Sequence, residues 1–415
     1  MDKLYKDART LIDKAIETNL PEEAVKNALN NHTFSKNIYL VAIGKAAWRM
    51  ANSARQELGE RIKGGIVITK YEHSLGEIPG IEIIEAGHPI SDENTILGTQ
   101  KAVELVKGLG EDDEVLFLVS GGGSALFELP LSGLELLDLV AVNNDLLACG
   151  ADIVEINMIR KRLSSVKAGK FAQLCVPAKV FAVVLSDILG DRLDSIASGP
   201  AAPDLSTIED ALSVVKKYDL KLSDKVMEYL KKETPKELHN VEAVITGSVR
   251  ILCENTAKIA DELGYRPYLL ATEMNCEARE AGRLIAAIAK QINSGACAFE
   301  RPCAVILGGE TVVRVKGTGK GGRNQEMVLA ASEGISGIKD LVIFSVGSDG
   351  TDGPTDAAGG IVDGTTMTRL KESGLNFNEV LDNNDAYNGL KKTDGLVITG
   401  PTGTNVNDVT VILCK

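Results

Sequence analysis

The sequence predicts an α/β protein, with a mainly parallel sheet covered by helices and with more than one domain. Three observations lead there. Short apolar runs of strand length, bounded by Gly, Pro or charge, alternate with helical stretches, which is the pattern of strands buried on both faces. At 415 residues the chain is too long for one ordinary core. Aromatic residues make up only 4% while Gly reaches 41, which suits aliphatic strands joined by tight turns.

Taken in order, Leu4, Ala8, Leu11, Ile12, Ala15 and Ile16 fall at helical spacing, and Pro21-Glu22-Glu23 starts a second helix, so residues 3–30 form a helical lead-in. Ile38 to Ile43 is the first strand, followed by Gly44-Lys45 and a helix from Ala46 to Leu58. Gly65 to Thr69, Ile81 to Glu85, Val115 to Val119 and Val180 to Leu185 continue the series. Between about 205 and 240 the chain turns charged, with Lys216-Lys217, Lys231-Lys232-Glu233 and Pro235-Lys236-Glu237, and carries no apolar strand. That places a boundary near 240, with domains at 1–239 and 240–415. A second series follows: Val241 to Thr246, Tyr268 to Ala271, Ala304 to Leu307, Val312 to Val315, Leu341 to Val346 and Val409 to Leu413.

Composition narrows the function. Hydrophobic residues at 44% and charged residues at 25% exclude a disordered or fibrous chain. A formal net charge of -13 repels nucleic acid and anionic membranes, so neither is an expected partner, and a phosphate ligand must be held locally by Lys and Arg on Gly-rich loops. The seven cysteines, at 149, 175, 253, 276, 297, 303 and 414, include no C-x-x-C pair, which points away from zinc and disulfides and toward a reducing compartment. With no signal-peptide core near the N-terminus and no uncharged apolar run approaching roughly 18 residues, the expected setting is cytoplasmic.

In open α/β sheets ligands bind beyond the carboxyl ends of strands, so those turns carry the candidates. Gly44-Lys45 aims an ammonium group and a helix start at an anion, against the plainer reading of a solvated lysine. Ser120-Gly121-Gly122-Gly123-Ser124 offers backbone N–H groups and two hydroxyls as a phosphate or carboxylate cradle. Asp187 and Asp191 come after the next strand and suit a magnesium ion, a general base, or plain turn and cap duty. Gly317, Gly319 and Gly322 satisfy G-x-G-x-x-G between a strand and a helix, but neither Asp340 nor Asp349 is spaced to grip a ribose. Arg323 at that helix entrance suits a planar anion. The acidic run Gly347 to Asp356 can hold magnesium or orient cations. Of the four histidines only His88 sits in a turn after a strand, where a structural role is the commoner one. No G-x-S-x-G, H-E-x-x-H or P-loop signature is present.

Together, Gly44-Lys45-Ala46-Ala47, Val-Ser-Gly-Gly-Gly-Ser-Ala ending at Ala125, Leu185 to Asp191, Ala197-Ser198-Gly199-Pro200, Gly321 to Glu326 and Gly347 to Asp356 resemble the bacterial and archaeal glycerate kinases that carry a MOFRL domain, over nearly the whole chain. The resemblance implies two three-layer α/β/α domains, the N-terminal one Rossmann-like with a mainly parallel sheet and the smaller C-terminal one of MOFRL type. It further implies ATP-dependent phosphorylation of D-glycerate to 2-phosphoglycerate, with Mg²⁺, in a cleft between the domains. Carried over by position, Lys45 and Arg323 lead the catalytic set, and Asp187 or Asp191 binds metal or activates the hydroxyl. Gly44, Ser120, Gly121, Gly122, Gly123, Ser124, Gly321, Gly322, Asn324, Gln325 and Glu326 bind substrate or nucleotide, and Asp349 is a further metal candidate. Phosphoryl transfer needs positioning and charge neutralisation more than covalent chemistry, so such a kit suffices. Two other functions compete: an NAD(P)-dependent hydroxypyruvate reductase using the 317–322 glycines, and a metabolite-binding protein without turnover. A homo-oligomer is compatible with the sequence, which does not set the oligomeric state.

Overall fold

The computed structural model describes residues 2–295 and 298–415, so Cys297 lies outside the described residues. The chain forms two compact units, Pro21–Thr246 and the combination of Met1–Leu20 with Gly247–Lys415. In the first, β1 (Asn37–Ile43), β2 (Ile62–Lys70), β3 (Ile81–Ala86), β4 (Asp113–Val119), β5 (Lys179–Leu185) and β6 (Val241–Gly247) build one sheet in the order β3-β2-β1-β4-β5-β6. The pairs β1–β2, β1–β4, β2–β3 and β4–β5 are parallel. Why β1, β4 and β5 are almost wholly apolar is visible in their alternation. Val41, Ile43, Phe117, Val119, Ala182 and Val184 enter the core under helices Glu93–Val106 and Lys170–Leu174, while Leu40, Ala42, Leu116, Leu118, Phe181 and Val183 enter the core under Pro21–Asn30 and Ala47–Leu58. The charged stretch before residue 240 contributes helices Ile208–Lys217 and Asp224–Leu230, which share a separate cluster with Leu136–Ala148 and Ile153–Leu163.

The second unit is built on β7 (Arg266–Met274), β8 (Cys303–Gly309), β9 (Leu341–Gly347), β10 (Gly359–Asp363), β11 (Leu396–Val397) and β12 (Asp408–Cys414), in the order β11-β10-β9-β12-β8-β7. This sheet is mixed: β7–β8 is parallel, whereas β12 runs antiparallel to both β8 and β9, and β10 antiparallel to β9 and β11. Helices Ala278–Ser294 and Arg323–Gly334 bury their apolar stripes on one face, with Ile285, Ala289, Val328 and Ala331 against Val305, Ile343 and Ile412. Among the described residues no helix is long and apolar enough to cross a membrane, and none of the described cysteines is in a disulfide.

The expected division at 239/240 differs from these units in two respects. The strand at 241–247, expected to open the second series, is instead the outer strand of the first sheet, where Val180 N donates to Asn240 O at 2.7 Å. An apolar strand does not state which sheet it joins. The first helix, Asp2–Glu17, belongs with the C-terminal unit: Tyr265 Oη donates to Asp7 at 2.6 Å and Arg9 donates to Leu396 O at 3.0 Å. Its apolar stripe predicts that it packs, not against what. The expected strand at 312–315 is a single bridge from Val312 to Glu277, with Val315 exposed, and the Gly-Gly start of β10 hid a strand that is fully buried.

Candidate active site

The strand order reverses between β1 and β4, which opens a crevice at their carboxyl ends. Gly44-Lys45 leaves β1 there and Ser120 to Ser124 leaves β4. The two turns are stitched together: Lys45 N donates to Gly121 O at 2.9 Å, Ser120 N to Ile43 O at 3.0 Å, and Ala46 N to Ser120 Oγ at 3.0 Å. A Cβ on Gly44, whose φ is +110°, would fall 2.3 Å from Ser120 Oγ, so only glycine permits this approach. The Ser120 hydroxyl also donates to Ile43 O at 3.2 Å, and Ser124 Oγ lies 3.0 Å from Ser198 Oγ. Both serines expected to bind an anion are thus occupied in holding the loop.

The glycines themselves are where other strands converge. A Cβ on Gly121 would meet Asp187 Oδ2 at 2.3 Å, from the end of β5; on Gly122 it would meet His88 Nε2 at 3.0 Å and Lys45 Cγ at 3.3 Å, from the ends of β3 and β1; on Gly123 it would meet Ala197 Cβ at 2.8 Å. Gly121 N and Gly122 N have no acceptor among the described residues, and neither the Lys45 ammonium nor the His88 ring has a hydrogen-bond or ion-pair partner there. Lys45, His88 and Asp187 therefore gather around the Gly121-Gly122 turn. Burial, with Lys45, Lys70 and His73 nearby, pulls the His88 pKa below its ordinary value, which favours the uncharged ring. Burial raises that of Asp187, opposed by its own backbone amide and by Lys45. His88 is the residue that sequence reasoning undervalues; its signal is the Gly87-His88-Pro89 turn at the end of β3.

A second underweighted feature is Ala197-Ser198-Gly199, with φ of +51°, +60° and +67° in succession. Left-handed backbone costs a non-glycine residue ~1–2 kcal/mol, and such outliers gather where geometry is functional. Here they press Ala197 onto Gly123. Asp191 has a φ of +52° and lines a cavity of about 430 Å³ with Leu193, Leu205, Leu238 and Val241.

The Gly-rich loop of the C-terminal unit has a different character. It comes after a bridge rather than a strand and opens helix Arg323–Gly334. Asn384 Oδ1 accepts from Lys316 N at 2.8 Å and Gly317 N at 3.0 Å, Asn383 accepts from Thr318 N at 3.0 Å and Gly319 N at 2.9 Å, and Asp385 accepts from Lys320 N at 2.9 Å. At the helix start, Asp352 accepts from Asn324 N at 3.1 Å and Gln325 N at 2.9 Å. The anion for this helix terminus is built in. Asn324, Gln325 and Glu326 turn inward, to Ser345, Thr355 and Arg279 with Asn384 respectively, and all three are buried. Their side chains are engaged within the unit. Gly321 and Gly322 pack on residues 384–386 and on Asp352.

Arg323 makes two bonds to Asp408, at 2.6 and 3.0 Å, and one to Glu310 at 3.2 Å, with its side chain 32% exposed. Burial works against its charge, and Asp408 and Glu310 more than offset that, so its pKa is raised. Asp349 accepts from Thr351 N at 2.9 Å in a turn. Among the described residues no three His, Cys, Asp or Glu side chains gather closely enough to hold a metal ion.

The strand-order reversal, the glycine amides without protein acceptors and the side chains of Lys45, His88 and Asp187 mark the carboxyl end of this α/β sheet as the candidate site. Residues 7–231 match the domain of unknown function DUF4147 and residues 303–408 match the MOFRL family. The D-glycerate 2-kinase of Thermotoga maritima is 52% identical, over 99% of this chain and 98% of its own. A crystal structure of a Thermotoga maritima glycerate kinase matches with a TM-score of 0.97 over 100% of both chains. The glycerate 2-kinase of Pyrococcus horikoshii is 41% identical over 97% of this chain and 96% of its own, and an Agrobacterium vitis protein carrying a hydroxypyruvate reductase name is 36% identical over 98% and 93%. The chain belongs to the glycerate kinase family whose members carry the MOFRL domain.

Proposed function

We propose that this chain transfers the γ-phosphoryl group of ATP to the 2-hydroxyl of D-glycerate, giving 2-phosphoglycerate, in a cytoplasmic setting. The observation that carries the reading is the convergence of Lys45, His88 and Asp187 on Gly121 and Gly122, with the cation, the ring and two amides lacking protein partners among the described residues. In this reading the amides and the Lys45 ammonium receive the phosphoryl oxygens, whose charge needs preorganised donors. Asp187, with its pKa raised by burial, accepts the proton of the glycerate hydroxyl as the new O–P bond forms and the bond to the leaving diphosphate breaks. Arg323, the other cation expected in the catalytic set, is held on Nε and Nη2 by Asp408 and on Nη1 by Glu310.

The donor set does not fit an ion held by protein alone, since no cluster of three ligands exists among the described residues. It would fit Mg²⁺ carried by nucleotide phosphates and water, which leaves Asp187 to the hydroxyl proton. When bound, such an ion neutralises phosphate charge. Asp349 accepts from Thr351 N and Asp191 lines the cavity beside Leu238 and Val241, and the proposal assigns neither to the metal.

The reductase reading needs the 317–322 loop for a dinucleotide, and the donors from Lys316 to Lys320 are already occupied by Asn383, Asn384 and Asp385. The decisive experiment is NMR product analysis with ATP, Mg²⁺ and D-glycerate. The expected product is 2-phosphoglycerate; 3-phosphoglycerate refutes the regiochemistry, and NADH oxidation with hydroxypyruvate in place of phosphorylation refutes the kinase reading.

A further inference from the structure

Behind the 120–124 loop, helix Gly123–Leu126 ends after a single turn, so its last carbonyl oxygens lack intrahelical donors. Lys167 fills that gap. Its Nζ donates to Ser124 O at 2.7 Å and to Phe127 O at 3.0 Å, and Glu128 Oε2 lies 3.3 Å away. Lys167 is fully buried and Glu128 nearly so. Arg160, from helix Ile153–Leu163, adds a donor to Ser124 O at 3.3 Å. The next two residues grip the other side of the loop: Ala168 N donates to Ser198 O at 3.0 Å and Gly169 N to Gly199 O at 2.7 Å. Ala168 and Gly169 are left-handed, with φ of +55° and +75°, opposite the left-handed run of Ala197 to Gly199 that bears on Gly123. One three-residue segment therefore ties both sides of the glycine loop.

A buried ion pair is seldom the most stable filling for a core position, and apolar residues of similar volume often serve as well or better. What the ammonium supplies here, and an apolar side chain does not, is two charge-assisted bonds that fix a one-turn helix. We infer that Lys167 is the positioning residue of the anion loop, holding helix Gly123–Leu126 so that the Gly121 and Gly122 amides face the bound phosphoryl group. The inference rests on the reading of that loop as the anion site.

Titration supplies a signature. Burial, with Arg160 beside it and Glu128 opposing, brings the Lys167 pKa down to about 8. Lys170 is also brought to about 8 by burial, but its Nζ serves Lys161 O and Ser164 O, away from the loop. Between about pH 8 and the ordinary lysine value, the folded chain loses the Lys167 proton while the unfolded chain keeps it. Stability from this group therefore rises with pH in that window. Positioning is lost in the same window, so turnover and stability move in opposite directions, which a purely structural lysine does not produce.

The test compares kcat, KM and the pH profile of wild type with Lys167→Met, Lys170→Met, Arg160→Gln and Arg160→Lys, together with tripolyphosphate affinity. Lys167→Met is expected to lower kcat about 10²-fold, since a shift of about 1 Å in a positioning element is enough for that, and to abolish the alkaline limb. Lys170→Met is expected to keep the limb. Wild-type kcat with an unchanged limb in Lys167→Met overturns the inference. If Lys167→Met does not fold, the Arg160 pair decides: a roughly tenfold loss in Arg160→Gln restored by Arg160→Lys supports it, and no loss overturns it. If the wild type does not phosphorylate glycerate, the kinase reading falls and tripolyphosphate binding alone judges the inference. Weakening of about tenfold or more in the variant that folds, Lys167→Met or Arg160→Gln, then upholds it and equal affinity overturns it.

Discussion

Two glycine-rich loops in this chain look alike in sequence and differ in what the fold leaves open. At 120–124 the glycine amides at 121 and 122, the Lys45 ammonium and the His88 ring have no protein partner among the described residues. At 317–326 the loop amides bind Asn383, Asn384 and Asp385, and the helix start binds Asp352. A glycine pattern therefore reports close approach of backbone to something; only the partners reveal whether that something is a ligand or the protein itself.

The largest expected effect is at Lys45. Lys45→Ala is expected to lower kcat/KM for glycerate about 10³-fold, at the upper end for one charge-stabilising group, with little change in Tm because the ammonium is unpaired among the described residues. Steady-state kinetics beside a thermal melt checks it. A variant with near-wild-type kcat/KM removes Lys45 from the mechanism and breaks the comparison at its first term.

Next comes a glycine from each loop. Gly122→Ala places a methyl group 3.0 Å from His88 and 3.3 Å from Lys45, at a φ of +85°. It is expected to cost about 1–2 kcal/mol of stability and a disproportionate, roughly 10²-fold loss of kcat, because it displaces Lys45, the cation proposed to receive the phosphoryl oxygens. Gly319→Ala drives a methyl group to 2.5 Å from Asp385 Cβ and 2.6 Å from Asn383 O. Its cost is expected in stability, of order 1–3 kcal/mol, with kcat of the folded enzyme nearly unchanged. Urea unfolding and kcat measured on both variants give the split; equal kcat losses show that the second loop also meets substrate.

This contrast marks how far the sequence is legible. Strands β1, β4 and β5 announce themselves because burial on both faces leaves their runs almost wholly apolar, and Lys45, Gly121 to Gly123 and Asp187 are found by inspecting the turn at the carboxyl end of each strand. Neither the sheet that receives residues 241–247 nor the unit that receives the first helix is encoded locally. The same holds for the second loop: Asp352 and Asn383 to Asp385, which occupy its donors, lie far along the chain, so its amides look available when they are not. Ser120 misleads for a related reason, since its partners Ile43 and Ala46 come from another strand's turn.

The smallest effect sharpens the comparison from the other side. Asp352 acts as the built-in anion of helix Arg323–Gly334, and burial, together with the nearby Asp408 carboxylate, raises its pKa to about 6 against the pull of the Gln325 and Asn324 amides and Arg323. Between the ordinary aspartate value and about 6, the folded chain keeps a proton that the unfolded chain has lost. Stability owed to this group is therefore fully present below the ordinary value and declines as pH rises to about 6, then levels. Asp352→Asn cannot titrate, so the difference in unfolding free energy between wild type and variant should change across about pH 4 to 6 and be flat from about 6 to 8. Urea titrations at closely spaced pH values measure it. Because this carboxylate faces the protein's own helix and not a ligand, kcat of the wild type should show no inflection that Asp352→Asn removes. An inflection that the variant does remove means that the second loop shares in the chemistry, and the two loops would then differ in degree rather than in kind.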